Sequence, residues 1–199
     1  NVMQTFSNLA LKVSIASGNS RRFVVGDETI QRLDVLAGAT ISRTAVGEHL
    51  ATKGDIVVDE ATVKLLGDSS LIKEWREEGG ERFALVENAS TSSEQPSAQR
   101  GDAAALLTDY SILRPFIHHA VYQREISGQG SFLTEFRPCV ALFIRFSGLD
   151  YEADGEETRL DEFVQTVQRV AERYHGILLQ ITIGDKGSYA YVNFGALSA

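Results

Sequence analysis

Between Ile177 and Ala196 the chain reads ILLQITIGDKGSYAYVNFGA, two β-branched and aromatic runs separated by Gly184-Asp185-Lys186-Gly187. Glycines permit turn dihedrals that a side chain would resist, so the pattern predicts a β-hairpin with a charged tip. Ahead of it, Cys139 to Phe146 is an apolar strand. Next come Leu160, Phe163, Val164, Val167, Val170 and Ala171 at the i, i+3, i+4 spacing of an amphipathic helix. The predicted order is strand, helix, hairpin.

Nearer the N-terminus, Leu11 to Ser17 alternates as a half-buried strand, Gly18-Asn19-Ser20 turns and Arg22 to Val25 returns, which predicts a second hairpin. From Ile30 a helix is expected, with Leu33, Leu36, Ala37, Ile41, Ala45 and Leu50 near one stripe. Gly38 and Gly47 each weaken it by about 1 kcal/mol relative to alanine, and Lys53-Gly54 is its stop signal. Asp55 to Val58 predicts a short strand, and Asp59 is placed to cap a helix over Glu60 to Leu66. Glu74 to Glu81 is charged and carries glycines, and Arg82 to Val86 reads as a further strand. Asn88 to Asp102, NASTSSEQPSAQRGD, has too little apolar surface to offset its ordering entropy and is the linker candidate. Asp102 can cap a following helix through Tyr110, Pro115 marks a kink or a new helix start, and Ser127 to Ser131 is a glycine-rich break.

The bulk figures of 199 residues, 43% hydrophobic and 23% charged, allow one large or two small domains. A formal net charge of −8 argues against duplex nucleic acid or an anionic membrane surface as partner. No apolar run reaches the length of a bilayer span and no basic leader opens the chain. A cytoplasmic location is therefore expected. The first residues read as the end of a helix, so the chain is expected to be part of something longer. The lone Cys139 excludes an internal disulfide and is expected to be buried in its strand. Adjacent His118 and His119 do not have the i, i+4 spacing of a zinc motif, and on a helix they would point apart, so they read as surface or packing residues. The acidic stretch from Asp150 to Glu157 reads as a solvated helix start and lacks the ligand alternation of a calcium loop.

Two stretches carry a family resemblance. RPCVALFIRFSGLD, followed about thirty residues on by LLQITIGDKGSYAYVNFGA, is similar to the opening half of a class III nucleotidyl cyclase domain, closest to the soluble adenylyl cyclase branch. Residues 11 to 66, ending in KGDIVVDEATVKLL, resemble the closing half of such a domain. The resemblance implies residues 1–87 as the end of a first cyclase domain, 88–137 as a linker with a helical segment, and 138–199 as the start of a second. It also implies an α/β (α+β) ferredoxin-like fold, a largely antiparallel sheet with helices packed on it.

In the parent enzyme the resemblance implies conversion of ATP to cyclic AMP with two Mg2+ or Mn2+ ions, held by aspartates on the first strand and at the hairpin tip. Here the first of these positions is Arg145, and only Asp185 matches the second. No metal of that kind is expected to bind this chain tightly. The family's aspartate, asparagine and arginine of the closing half fall on Ala39, Ser42 and Val46, so all three are degenerate. What remains is a set of anion- or nucleotide-binding candidates: Lys186, placed to meet an adenine edge, with Gly184, Gly187, Arg43 and Arg145. The resemblance therefore implies a piece that is catalytically incomplete by itself, or a degenerate regulatory module. Its expected partners are ATP or a small anion such as bicarbonate, and other cyclase halves, supplied within the chain or by a homodimer.

Overall fold

The computed structural model describes residues 10–67, 71–87, 110–128, 138–184 and 187–196. It is a mixed α/β structure with antiparallel and mixed sheets, and its contacts divide into two units. The linker candidate, the helix start at Asp102 and the hairpin tip at Asp185 and Lys186 lie outside the described residues.

The first unit draws on residues 1–21, 37–94 and 183–186. Strands β1 (Val13–Ile15), β4 (Ile56–Asp59), β5 (Ile72–Glu78) and β6 (Glu81–Val86) form a sheet in the order β1-β4-β6-β5. β1 runs parallel to β4, with Val13 opposite Ile56, while β6 is antiparallel to both of its neighbours. A parallel pair needs a crossover, and helix α1 (Ala39–Leu50) supplies it. The core joins Ala51, Val57, Phe83 and Leu85, with Val46 and Leu50 of α1 packed against it. Gly47 lets the helix approach the sheet, because a Cβ there would come within 2.8 Å of Phe83 Cε1. Helix α2 (Glu60–Leu66) begins where expected, with the Asp59 carboxylate accepting from the Thr62 amide at 2.8 Å.

The second unit draws on residues 22–36, 95–182 and 187–199. It contains most of a two-stranded ribbon of β2 (Arg21–Val25) and β3 (Leu33–Ala37), a 3-10 turn over Tyr110–Phe116 around Pro115, and helix α3 (His119–Ile126). It also holds β7 (Val140–Phe146), helix α4 (Glu156–Arg173), and most of β8 (Gly176–Gly184) with β9 (Gly187–Phe194). These last strands form a sheet in the order β7-β9-β8, so the predicted strand, helix and hairpin are all present. β7 and β9 are antiparallel, with Arg145 opposite Tyr189 and Phe146 opposite Ser188. Leu160, Val164 and Ala171 of α4 are buried, as are Ile177, Leu178 and Ile181 of β8 and Ala190 and Val192 of β9.

Four expectations are corrected. β1 and β2 do not form a hairpin: β1 joins β4 and β2 joins β3, because the parallel partner Ile56–Val58 takes the edge of β1. The helix expected from Ile30 begins only at Ala39, and Leu33–Ala37 is a strand with Leu33, Val35 and Ala37 buried and Asp34 and Leu36 exposed. A short apolar run fits both periods, and here the ion pair from Arg22 to Asp34 accompanies the period of two. Cys139 is exposed and precedes β7 instead of packing inside it. On α4 the apolar stripe is incomplete, since Val170 is half exposed while Gln168 is buried in the row of Leu160 and Val164.

Candidate functional site

Gly187 opens β9 at φ 97°, a backbone conformation that disfavours any side chain, and this fixes where the hairpin turns. A Cβ on Gly187 would meet Arg145 Nε at 3.5 Å and a terminal guanidinium nitrogen at 3.8 Å. The arginine of β7 therefore reaches along the sheet to the end of the hairpin. Next to Gly187, Ser188 is buried and its Oγ shares a 2.6 Å hydrogen bond with the Tyr151 hydroxyl. Burial raises the Tyr151 phenol above its ordinary range, the Ser188 bond opposes that shift, and Glu156 adds to it. The phenol is neutral at physiological pH.

Arg145 and the hydroxyl pair of Ser188 and Tyr151 thus lie near the same end of the sheet but on opposite faces, because Arg145 pairs with Tyr189 and Ser188 with Phe146. Among the described residues no carboxylate pairs with Arg145. A guanidinium at the position where the resemblance requires a carboxylate opposes a divalent cation, so Arg145 does not fit the two-metal chemistry that the resemblance implies. It suits an anion. Tyr151 and Ser188 were missed in the sequence because neither stands in a motif: only the pairing of β7 with β9 and the turn before α4 bring them together.

The other sequence candidates divide differently. Gly184 ends β8, and a Cβ on it would lie 3.6 Å from Ala45 Cβ of α1. Lys186 and Asp185 lie outside the described residues. Arg43 is engaged in the first unit, where its Nε donates to Asp59 Oδ2 at 2.9 Å and a terminal nitrogen donates to the Ser17 carbonyl at 3.0 Å. That is the ion-paired role of a helix arginine. Asp59 also accepts from the Ser17 amide and from Thr62. Burial pushes its carboxyl up, but the bonds from Thr62, Arg43 and Ser17 outweigh burial and leave it below the ordinary range. Of the three positions that the resemblance reads as degenerate, Val46 packs against the core cluster that contains Phe83, and all three lie on α1.

A third group was dismissed by sequence spacing. His118 is the N-cap of α3 with extended backbone, φ −53° and ψ 132°, so it does not diverge from His119 as two helical neighbours would. The two rings lie 4.6 Å apart between centroids and are tilted by 30°. Burial, then the neighbouring His119 and Arg114, hold His118 down to about 4. It is a neutral imidazole at physiological pH, so its approach to Glu172 at 3.5 Å is not an ion pair there.

No known family model and no curated protein matches the chain. Among the described residues no helix is long and apolar enough to cross a membrane.

Proposed function

We propose that this chain is the non-metal portion of a class III adenylyl cyclase of the nucleotidyl cyclase fold, catalytically incomplete by itself. The observation that carries this reading is Arg145. It stands on the first strand of a strand-helix-hairpin unit, and its guanidinium lies against Gly187 at the end of the hairpin. A cyclase active site needs carboxylates at that end to hold metals against the triphosphate. A cation there can instead meet phosphate charge directly. Val46 supports the same reading from the other half, because a residue packed beside Phe83 in the core cannot serve as a transition-state cation.

A second reading, a regulatory nucleotide- or anion-binding module without catalysis, is favoured by the exposed Arg145 at the hairpin end, which has no carboxylate partner among the described residues. The test separates the two from a working enzyme. Purified chain incubated with ATP and Mn2+ is expected to form no cyclic AMP above a blank. Turnover abolished by Asp185→Ala would overturn the incomplete-site reading. Calorimetric titration with ATP and with bicarbonate is expected to show binding that Arg145→Ala and Lys186→Ala weaken. Binding unmoved by both changes, or absent at millimolar ligand, would leave the hairpin end as a charged surface turn.

A further inference from the structure

His118, His119 and Glu172 present one donor atom each, all within 4.8 Å of one another. The Glu172 Oε1 oxygen lies 3.5 Å from His118 Nε2 and 3.7 Å from His119 Nδ1. Both nitrogens are shielded from solvent, neither has a hydrogen-bond partner among the described residues, and His118 as a whole is only 7% exposed. Buried imidazole nitrogens are ordinarily satisfied, so two facing one carboxylate oxygen without a bond call for a ligand.

The separations indicate which ligand. They are longer than N–H···O hydrogen bonds, which lie at about 2.7–3.2 Å. The two carboxylate–imidazole separations are close to the edge of a tetrahedron around a zinc ion, since bonds of about 2.0–2.1 Å place neighbouring ligands about 3.3–3.4 Å apart, while the two nitrogens lie within 4.8 Å of each other, a span that binding closes by a small turn of the rings. We propose that His118 Nε2, His119 Nδ1 and Glu172 Oε1 form a binding site for a transition-metal ion of the zinc class. Two imidazoles and one carboxylate select Zn2+ or Co2+ over Mg2+ and Ca2+, which prefer oxygen cages. Three protein ligands leave a fourth position for water or a small anion.

The bound state has a defined local consequence. His118 Nδ1 now accepts from the Ala120 amide at 3.3 Å, which places the ring proton on Nε2. Coordination through Nε2 moves that proton to Nδ1 and gives up this one long capping bond. In return the ion links the start of α3 to the last turn of α4, two segments that are otherwise far apart in sequence. His119 is already tied by its backbone, which donates to the Ile30 carbonyl at 3.1 Å, so the ribbon joined to Ile30 is fixed along with them.

The test uses the whole chain, stripped with a chelator and titrated with Zn2+. Calorimetry is expected to find one zinc per chain, with a rise in the thermal unfolding midpoint. Co2+ is expected to give the intense visible absorption of a four-coordinate ion. Glu172→Gln, at a helix end where folding is not at risk, is expected to weaken zinc affinity at least about tenfold, and His119→Ala likewise. His49→Ala, remote from the cluster in sequence, is expected to leave it unchanged. No binding at micromolar zinc overturns the site, as does binding that His49→Ala weakens and Glu172→Gln and His119→Ala do not. Either result leaves the histidines as packing residues.

Discussion

Arg43 on α1 and Asp59 at the N-cap of α2 hold each other at 2.9 Å, with the carboxylate only 2% exposed and the guanidinium 20% exposed. One aspartate thus caps a helix, neutralises a half-buried cation, and receives the Ser17 amide from the turn after β1. An arginine that the cyclase resemblance offered for a ligand is occupied by the fold.

Asp59→Ala removes a cap worth about 1 kcal/mol and leaves Arg43 without its partner. The expected loss of stability is about 2–4 kcal/mol, read from urea unfolding at neutral pH. Arg43→Met should cost less, because the cap to Thr62 survives. The double variant should be less destabilised than the sum of the two, with a coupling of about 0.5–3 kcal/mol. Strict additivity would show that the pair does not act as one unit.

Asp55 accepts from Arg76 at 2.7 Å and from both the amide and the hydroxyl of Thr52. Arg76 first, then the Thr52 amide and hydroxyl, hold its carboxyl at about 2, against an ordinary value of 3.8. A carboxyl lowered by folding contributes stability above its unfolded value, and that contribution is lost as pH falls through the folded one. Asp55→Asn should therefore be less stable than the wild type at neutral pH. The gap should close as pH falls from 3.8 towards about 2. Acid titrations of both proteins, followed by circular dichroism in a fixed urea concentration, check this, and a gap that is constant across the range would contradict it.

Gln168 is 2% exposed on α4 and joins that helix to the loop between β2 and β3. Its Oε1 accepts from the Asp27 amide at 2.8 Å and its Nε2 donates to the Gln31 carbonyl at 2.6 Å. Gln168→Leu keeps the volume but strands two backbone groups, at about 1–3 kcal/mol for each group left unsatisfied. A loss of about 2–4 kcal/mol is expected, together with faster hydrogen exchange at the Asp27 amide. Wild-type stability in this variant would mean that water replaces the side chain.

Much of the fold was legible along the chain. The hairpin of β8 and β9, the amphipathic α4 and the capped α2 rest on signals contained within a few residues: glycines at a turn, a period of 3.6, an aspartate before a helix. Local chemistry fixed these elements. The tertiary structure decided the rest. Leu33–Ala37 became a strand because its pairing with β2 outweighed an ambiguous period, and β1 took a partner from beyond α1 instead of its neighbour in sequence. Gln168 carries no signal in the sequence because its partners, Asp27 and Gln31, lie in a loop that only folding brings to it. His118 and His119 were set aside on spacing alone. Spacing describes one helix, and these rings meet because His118 lies just outside α3 in extended backbone and Glu172 arrives from the end of another helix. Adjacency in sequence constrains what a single element can present. It says nothing of what a second element brings to the same place.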